Sequence, residues 1–245
     1  MLTDIQLSQI MRNAAPTKRQ SFLAPLNDAM QKHGVTSLLR TAAFIAQLAH
    51  ESGEFRFMEE LWGPTAAQKR YEPPSDLAKR LGNSQAGDGK RFKGRGPIQI
   101  TGRFNYKKYG DLLGIDLTAE PERAATPEIG FETAGLFWQR NGLNELADAD
   151  NFKGITQRIN GGQNGAAERE RFYELAKHVL APAFPASAAP VSRGAPRAEP
   201  AAVAAPAASA FGRGREEVAK RKRSATPASG KRVGRQTGFD KNQKS

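Results

Sequence analysis

The stretch TSLLRTAAFIAQLAHESG, residues 36–53, constrains the fold more than any other part of the chain. Leu38, Leu39, Ala42, Ile45, Ala46 and Ala49 recur at helical spacing and Gly53 follows as a stop. The spacing predicts a central, largely buried helix ending near Gly53. A helix with so wide an apolar face must be covered by other elements, so the rest of the domain has to supply its packing partners.

The flanking sequence supplies them. TDIQLSQIM opens with Thr3 or Asp4 as a cap and repeats Ile5, Leu7, Ile10 and Met11; SFLAPLNDAMQKHG is a weaker helix, containing Pro25 and stopping at Gly34. TPEIGFETAGLFWQRNG has Thr126 as N-cap, Pro127 at the first helical position, an apolar face of Ala134, Phe137 and Trp138, and Gly142 as a stop. Two further helices repeat Phe152, Ile155 and Ile159, and then Phe172, Leu175, Ala176 and Val179. Residues 63–93 show no sustained period and read as a long surface segment. KGRGPIQITGRFNY reads as a glycine-punctuated turn into a short strand, with Ile98 and Ile100 on one face and Gln99 and Thr101 on the other. The predicted class is mainly α with a small β element at its middle.

Composition sets the expected end of the domain. From Pro182 the chain turns to alanine and proline and then to lysine and arginine, with Phe184, Phe211 and Phe239 as its only aromatics. Such a stretch buries too little apolar surface to offset the entropy of ordering it. The expected organisation is a folded domain at 1–181, an Ala/Pro-rich linker at 182–210 and a basic disordered tail at 211–245. Beyond residue 181 there are 13 Lys and Arg against 4 Asp and Glu, a net +9 of the chain's +12. The folded part, with 24 basic and 21 acidic residues, keeps only +3. A nucleic-acid reading therefore belongs to the tail. The tail's basic block lacks the aromatics that stack on single-stranded bases. It is either a solubilising end or an attachment to a polyanion such as an anionic envelope.

The chain has no cysteine, which excludes a disulfide framework, a thiolate metal site and a thiol nucleophile. His33, His50 and His178 are too widely spaced to suggest a zinc cluster, so neither metal nor cofactor is expected. The first twenty residues lack a basic-then-apolar leader, and no run approaches the roughly 20 apolar residues of a membrane span. The expectation is synthesis in the cytoplasm with no transmembrane segment.

Glu51 is placed in the last turn of the central helix. There the macrodipole and burial both disfavour an ionised carboxylate, as a general acid near neutral pH requires. The alternative is an exposed helix end paired with Arg56 or solvated. Glu59 and Glu60 lie far enough past Gly53 for the chain to bring one of them opposite Glu51. Two carboxyl groups facing each other suit glycoside hydrolysis, one protonating the leaving oxygen and one activating water or attacking the sugar. Gln99, Thr101, Asn105 and Asn160 are neutral polar groups of the kind that bind sugar. Each has another reading: Gln99 facing solvent, Asn105 capping the next helix, Asn160 as a left-handed helix end. A phosphate loop at GRGPIQITG is excluded because GxxxxGK[ST] is missing.

AHESGEF, KGRGPIQITGRFNY, ETAGLFWQ and RINGG followed by RERFY, in this order over residues 38–180, resemble glycoside hydrolase family 19. The short loops and absent cysteines are similar to its phage and prophage endolysins more than to its disulfide-bearing plant chitinases. The resemblance implies a lysozyme-like, bilobal helical fold whose small β element lines a cleft. It implies Glu51 as general acid and Glu60 as the base of an inverting mechanism, with Thr101 holding the water. Gln99, Asn105 and Asn160 match substrate contacts, Arg169 a structural or site arginine; Glu72 is the fallback base. Ser52 and Glu54 depart from the chitinase motif, which continues with Thr and Gly. The implied substrate is the β-1,4-linked glycan of peptidoglycan, with chitin as the alternative. The endolysin type further implies release to the periplasmic wall through a holin. A secreted antibacterial effector and a non-catalytic glycan-binding module are the other readings that these motifs permit.

Overall fold

The computed structural model describes residues 1–184, so the linker and tail expectations beyond 184 lie outside the described residues. In chain order the helices are α1 (Asp4–Ile10), α2 (Pro16–Lys32), α3 (Leu38–Ser52), α4 (Ala66–Lys69), α5 (Asp76–Leu81), α6 (Asp88–Arg91), α7 (Arg103–Leu113), α8 (Pro127–Arg140), α9 (Leu143–Asp148), α10 (Phe152–Asn160) and α11 (Ala166–Leu180). Mainly helical structure is thus what the periodicity predicted, and none of these helices is long and apolar enough to cross a membrane.

The centre is α3, started by the Ser37 side chain, which accepts from the Arg40 N–H, and ended by Gly53 in the left-handed region. Phe44, Ile45, Leu48 and Ala49 are buried on it, and its most extensive partner is α11; the other main helix pair is α2 with α8. Trp138 of α8 packs edge-on against Phe44 at 5.1 Å, tying the two systems together. The caps follow the sequence: Thr3 forms a capping box with Gln6 and Thr126 accepts from Ile129 N–H ahead of Pro127. Pro25 is accommodated inside α2. Phe184, placed by composition in the linker, follows a 3-10 turn at Ala181–Ala183 and packs against the core.

Two local expectations are corrected. Residues 63–93 are not an unstructured surface segment: they carry the short helices α4, α5 and α6, started at Thr65, Ser75 and Gly87. Each is too short to display a period, but together they bury Tyr71, Leu81 and Phe92. The predicted strand is instead a tight hairpin with single bridges, Glu59 to Arg95 and Arg95 to Ile100. Arg95 and Ile100 exchange both backbone hydrogen bonds, at 3.1 and 2.9 Å, around a turn in which Gln99 N donates to Gly96 O. Gln99 has φ +55°, so alternation breaks there and both Gln99 and Ile100 are buried.

Candidate active site

Glu51 occupies the last turn of α3 and is 3% exposed. Its partner is not Arg56, whose Nε donates back to Gly53 O at 3.0 Å. The Arg169 guanidinium, brought across by α11, donates from Nη2 to Glu51 Oε1 and from Nη1 to Gln47 Oε1. Glu51 is therefore not an isolated carboxyl in apolar surroundings, as the helix pattern implied: it shares its burial with a cation. Glu51 Oε2 has no protein hydrogen-bond partner among the described residues and is not sealed from solvent. Gln47 also donates to Thr156 Oγ1 at 3.0 Å, and Arg169 Nε donates to Asn164 O at 3.3 Å. Asn160 is the last residue of α10 and sends its amide to the same Asn164 carbonyl at 3.4 Å. Gly161, not Asn160, takes the left-handed position. Of the sequence candidates, Glu51, Asn160 and Arg169 thus form one group.

The chain leaves α3 through an unusual turn. Gly53, Glu54 and Phe55 all have positive φ, at 61°, 59° and 62°, although the last two carry side chains that disfavour it. Several contacts hold this turn. Asn13 donates to both Glu54 oxygens, from its backbone N at 2.8 Å and its amide at 2.7 Å. Phe55 N donates to Ser52 Oγ at 2.8 Å, and the Phe55 ring packs edge-on against Phe22 and Phe131, each at 5.4 Å. Ser52 and Glu54, where the sequence departs from the chitinase motif, are thus the residues that fix the turn.

Glu60 stands on the far side of this turn, outside helix and strand. Its backbone N donates to Gly94 O at 2.8 Å, Gly94 N donates back to Glu60 Oε2 at 3.0 Å, and Gln68 Nε2 donates to Glu60 Oε1 at 3.0 Å. Gln68 is the N3 residue of the α4 capping box, so the cap that starts α4 also orients this carboxylate. A Cβ at Gly94 would sit 2.5 Å from Gln99 Oε1 and 3.3 Å from Thr101 Oγ1. Gly94 is the point on which Glu60, Gln99 and Thr101 converge. Gln99 Nε2 donates to Gly96 O at 2.8 Å, while its Oε1 is buried without a hydrogen-bond partner among the described residues. An orphaned buried acceptor is costly unless a water or ligand donor completes it. Thr101 Oγ1 donates to Gln99 O at 3.0 Å. Asn105, at the third residue of α7, is not its cap; its amide donates to Thr101 O at 2.8 Å.

Glu59 and Glu72 have other attachments. The Glu59 carboxylate pairs with Arg95 at 2.8 Å and Lys93 at 3.2 Å. Burial alone would raise its pKa, but the charges and hydrogen bonds of Arg95 and Lys93 outweigh that and hold it below the ordinary carboxylate value. Glu72 accepts from Gly87 N at 2.9 Å and Lys90 N at 3.3 Å, and so is tied to the start of α6. Arg95 anchors the hairpin from beneath by also donating to Arg91 O and to the buried Tyr106 hydroxyl, at 2.8 and 2.9 Å. Among the described residues no group of three or more His, Cys, Asp or Glu has the arrangement of a metal site.

Sequence reading did not single out Gln47, Gln68 or Gly94. Gln47 was detectable as a polar residue one turn before Glu51 on an apolar helix face, and Gln68 through the Thr65-x-x-Gln capping pattern. Gly94 carried no signal beyond a glycine in a turn.

A family model described as chitinase class I matches residues 27–182. The chain belongs to glycoside hydrolase family 19. A Haemophilus influenzae protein described as a glycosyl hydrolase family 19 domain-containing protein is 33% identical over 197 residues, spanning 71% of this chain and 94% of that one. An Arabidopsis thaliana endochitinase is 36% identical over 163 residues, and there the match spans 66% of this chain but only 53% of the plant protein. Among solved structures, chitinase C from Streptomyces griseus shares the fold at 23% identity and a TM-score of 0.58, covering 73% of this chain and 91% of that one. A class IV family 19 chitinase from Zea mays aligns at 28% identity and a TM-score of 0.55, covering 73% and 92%. This family 19 protein is accordingly a glycoside hydrolase of the chitinase type, with a lysozyme-like helical fold.

Proposed function

We propose that this family 19 hydrolase cuts the β-1,4 bonds of the peptidoglycan glycan strand, with Glu51 as general acid and Glu60 as general base. One observation supports the reading: the two carboxyl groups are held by separately built parts of the fold, Glu51 by Arg169 of α11 and Glu60 by Gln68 and Gly94, and Glu51 keeps Oε2 without a protein hydrogen-bond partner among the described residues. In the reaction Glu51 gives its proton to the glycosidic oxygen as the C1–O bond breaks. Glu60 takes a proton from the water whose oxygen bonds to C1 from the opposite face, so the product anomer is inverted. Arg169 and Gln47 are positioning residues for Glu51; Gln68 and Gly94 are positioning residues for Glu60. Gln99 Oε1 and Thr101 Oγ1 offer an acceptor and a hydroxyl for that water or a sugar hydroxyl.

Charge supports peptidoglycan over chitin. A chain of net +12 gains from a substrate bearing carboxylates and gains nothing from neutral chitin. Chitin is the second reading, favoured by the likeness to the plant endochitinase. Mass spectrometry of peptidoglycan digested by the purified full chain separates them. Fragments with muramic-acid reducing ends are expected; turnover of chitin oligomers with no new reducing ends from peptidoglycan establishes the second reading instead.

The endolysin role is part of the same proposal: the enzyme waits in the cytoplasm, reaches the periplasmic wall when a holin opens the membrane, and is retained on the anionic envelope by its basic C-terminal stretch. Expressed alone it should leave cells intact, and added membrane permeabilisation should lyse them within minutes. Lysis without permeabilisation would reject the holin step.

A further inference from the structure

The described residues are divided by charge as well as by fold. Residues 65–113, from the cap of α4 to the end of α7, hold eleven Lys and Arg against four Asp and Glu, a net +7. The remainder of residues 1–184 holds thirteen basic and seventeen acidic residues, a net −4. The positive segment is one packed unit: Asn83 donates to Tyr71 O at 2.9 Å, Arg103 of α7 pairs with Asp88 of α6, and α5 packs on α7. The same unit supplies Gln68, Gly94, Gln99 and Thr101, so it forms the Glu60 side of the site.

Each of its three short helices carries an adjacent basic pair in or just past its last turn: Lys69-Arg70, Lys79-Arg80 and Lys90-Arg91, all exposed. Helix ends account for little of this, since a C-terminus carries only about half a negative charge. Nor do carboxylates neutralise them. Lys79 reaches Asp76 at 3.4 Å, whereas Lys69, Arg70, Arg80, Lys90 and Arg91 form no ion pair among the described residues. Lys69 and Arg70 directly follow Gln68, whose amide holds Glu60, so the charge begins at the edge of the site. On α7, Lys108 is pushed below the ordinary lysine value by burial and by the like charge of Arg140, again cation beside cation.

We infer that the exposed surface of the α4–α7 unit binds the carboxylates carried by the substrate glycan, the acidic peptide substituents of peptidoglycan. Continuity with the site selects this anion: a ligand that spans the carboxyl site and the basic helix ends at once must carry its negative charge on the glycan itself. The inference rests on the peptidoglycan reading above, and it makes this surface the part of the enzyme that distinguishes an acidic glycan from a neutral one.

The test uses the full chain and its K69Q/R70Q/R80Q/K90Q variant, which differ by four charges and share the same C-terminal stretch. Cosedimentation with purified peptidoglycan sacculi at about 10 mM salt, where screening is weak, should weaken about tenfold or more in the variant. Amidating the sacculus carboxylates should weaken wild-type binding by at least that factor and weaken the variant's binding by clearly less, the shared C-terminal stretch accounting for what the variant still loses. Turnover of a neutral chitin oligomer should be unchanged in the variant, which also shows that it folds. Equal binding of both proteins to native sacculi, or equal wild-type binding to native and amidated sacculi, overturns the inference. So does a variant that loses retention of duplex DNA and not of sacculi. Charge-dependent sacculus binding without release of reducing ends supports the surface while refuting the hydrolytic reading on which it rests.

Discussion

The two walls of the proposed site are built by different physics. Glu51 stands on a fifteen-residue helix most of whose other side chains are buried, and its guanidinium partner arrives on a second long helix packed along the first. Glu60 stands on a segment without regular structure and is held by one backbone N–H and one side-chain amide. Packing positions the first carboxyl; hydrogen bonds to a hairpin and a helix cap position the second. The two walls also differ in charge, since the α4–α7 unit is strongly basic and the rest of the domain is weakly acidic. Changes on the Glu51 wall should therefore affect stability and catalysis together, and changes on the Glu60 wall should affect catalysis with the fold largely intact.

The largest effect is expected at Glu51 itself. Glu51→Gln keeps an acceptor for Arg169 but removes the transferable proton, so kcat on a glycan with a poor leaving group should fall by roughly 10²–10⁴, the usual contribution of a general acid. Initial rates measured with binding of the same glycan would show turnover lost and affinity kept. Arg169→Ala comes next. It leaves Glu51 buried beside an unfilled space, and breaking a buried pair in this way costs about 3–5 kcal/mol, read as a lower urea midpoint. A variant with the wild-type midpoint would mean that Glu51 is not fixed by packing and pairing as described.

Gly94→Ala is the sharpest probe of the other wall. Its methyl group would lie 2.5 Å from Gln99 Oε1, so the Gln99 side chain must move or the hairpin must open. A displacement of about 1 Å at a positioned group can cost about 10² in rate, and kcat should fall on that order with little change in melting temperature. A large loss of stability without loss of kcat would reverse the contrast between the walls.

The smallest effect is a pH dependence within the basic unit. Burial alone would raise the Asp88 pKa, but Arg103 and the backbone N–H groups of Ser84 and Gln85 more than compensate and hold it below the ordinary 3.8. A carboxyl lowered in the folded state stabilises the fold above its unfolded value, and that contribution is lost as pH falls through the lower, folded value. Asp88→Asn should therefore be less stable than wild type at pH 7, and the gap should close on acidification below about pH 4. Urea midpoints of both proteins at pH 7 and pH 3 would check it.

The contrast also explains what was legible in the sequence. The wall made of long helices announced itself: the apolar spacing from Leu38 to Ala49, the Gly53 stop and the Thr126-Pro127 start each correspond to an observed element. Local pattern captures elements whose stability comes from a continuous apolar face. The Glu60 wall did not announce itself in this way. Three helices of four to six residues cannot show a period, and the strand pattern of Ile98 and Ile100 gave way to a turn because Gln99 adopts φ +55°. The Arg169–Glu51 contact joins residues 118 apart in the chain, and spacing rules do not reach that far. The matching motifs brought Arg169 into view; the structure supplied its partner.

The central claim is that Glu51 and Glu60 act from opposite faces of one bond with a water between them. Time-resolved NMR of the first products from a β-linked N-acetylglucosamine oligomer tests it most directly. The α anomer should appear first and only later relax toward the equilibrium mixture. A β anomer as the initial product would contradict it and require one of the two carboxylates to attack the sugar itself.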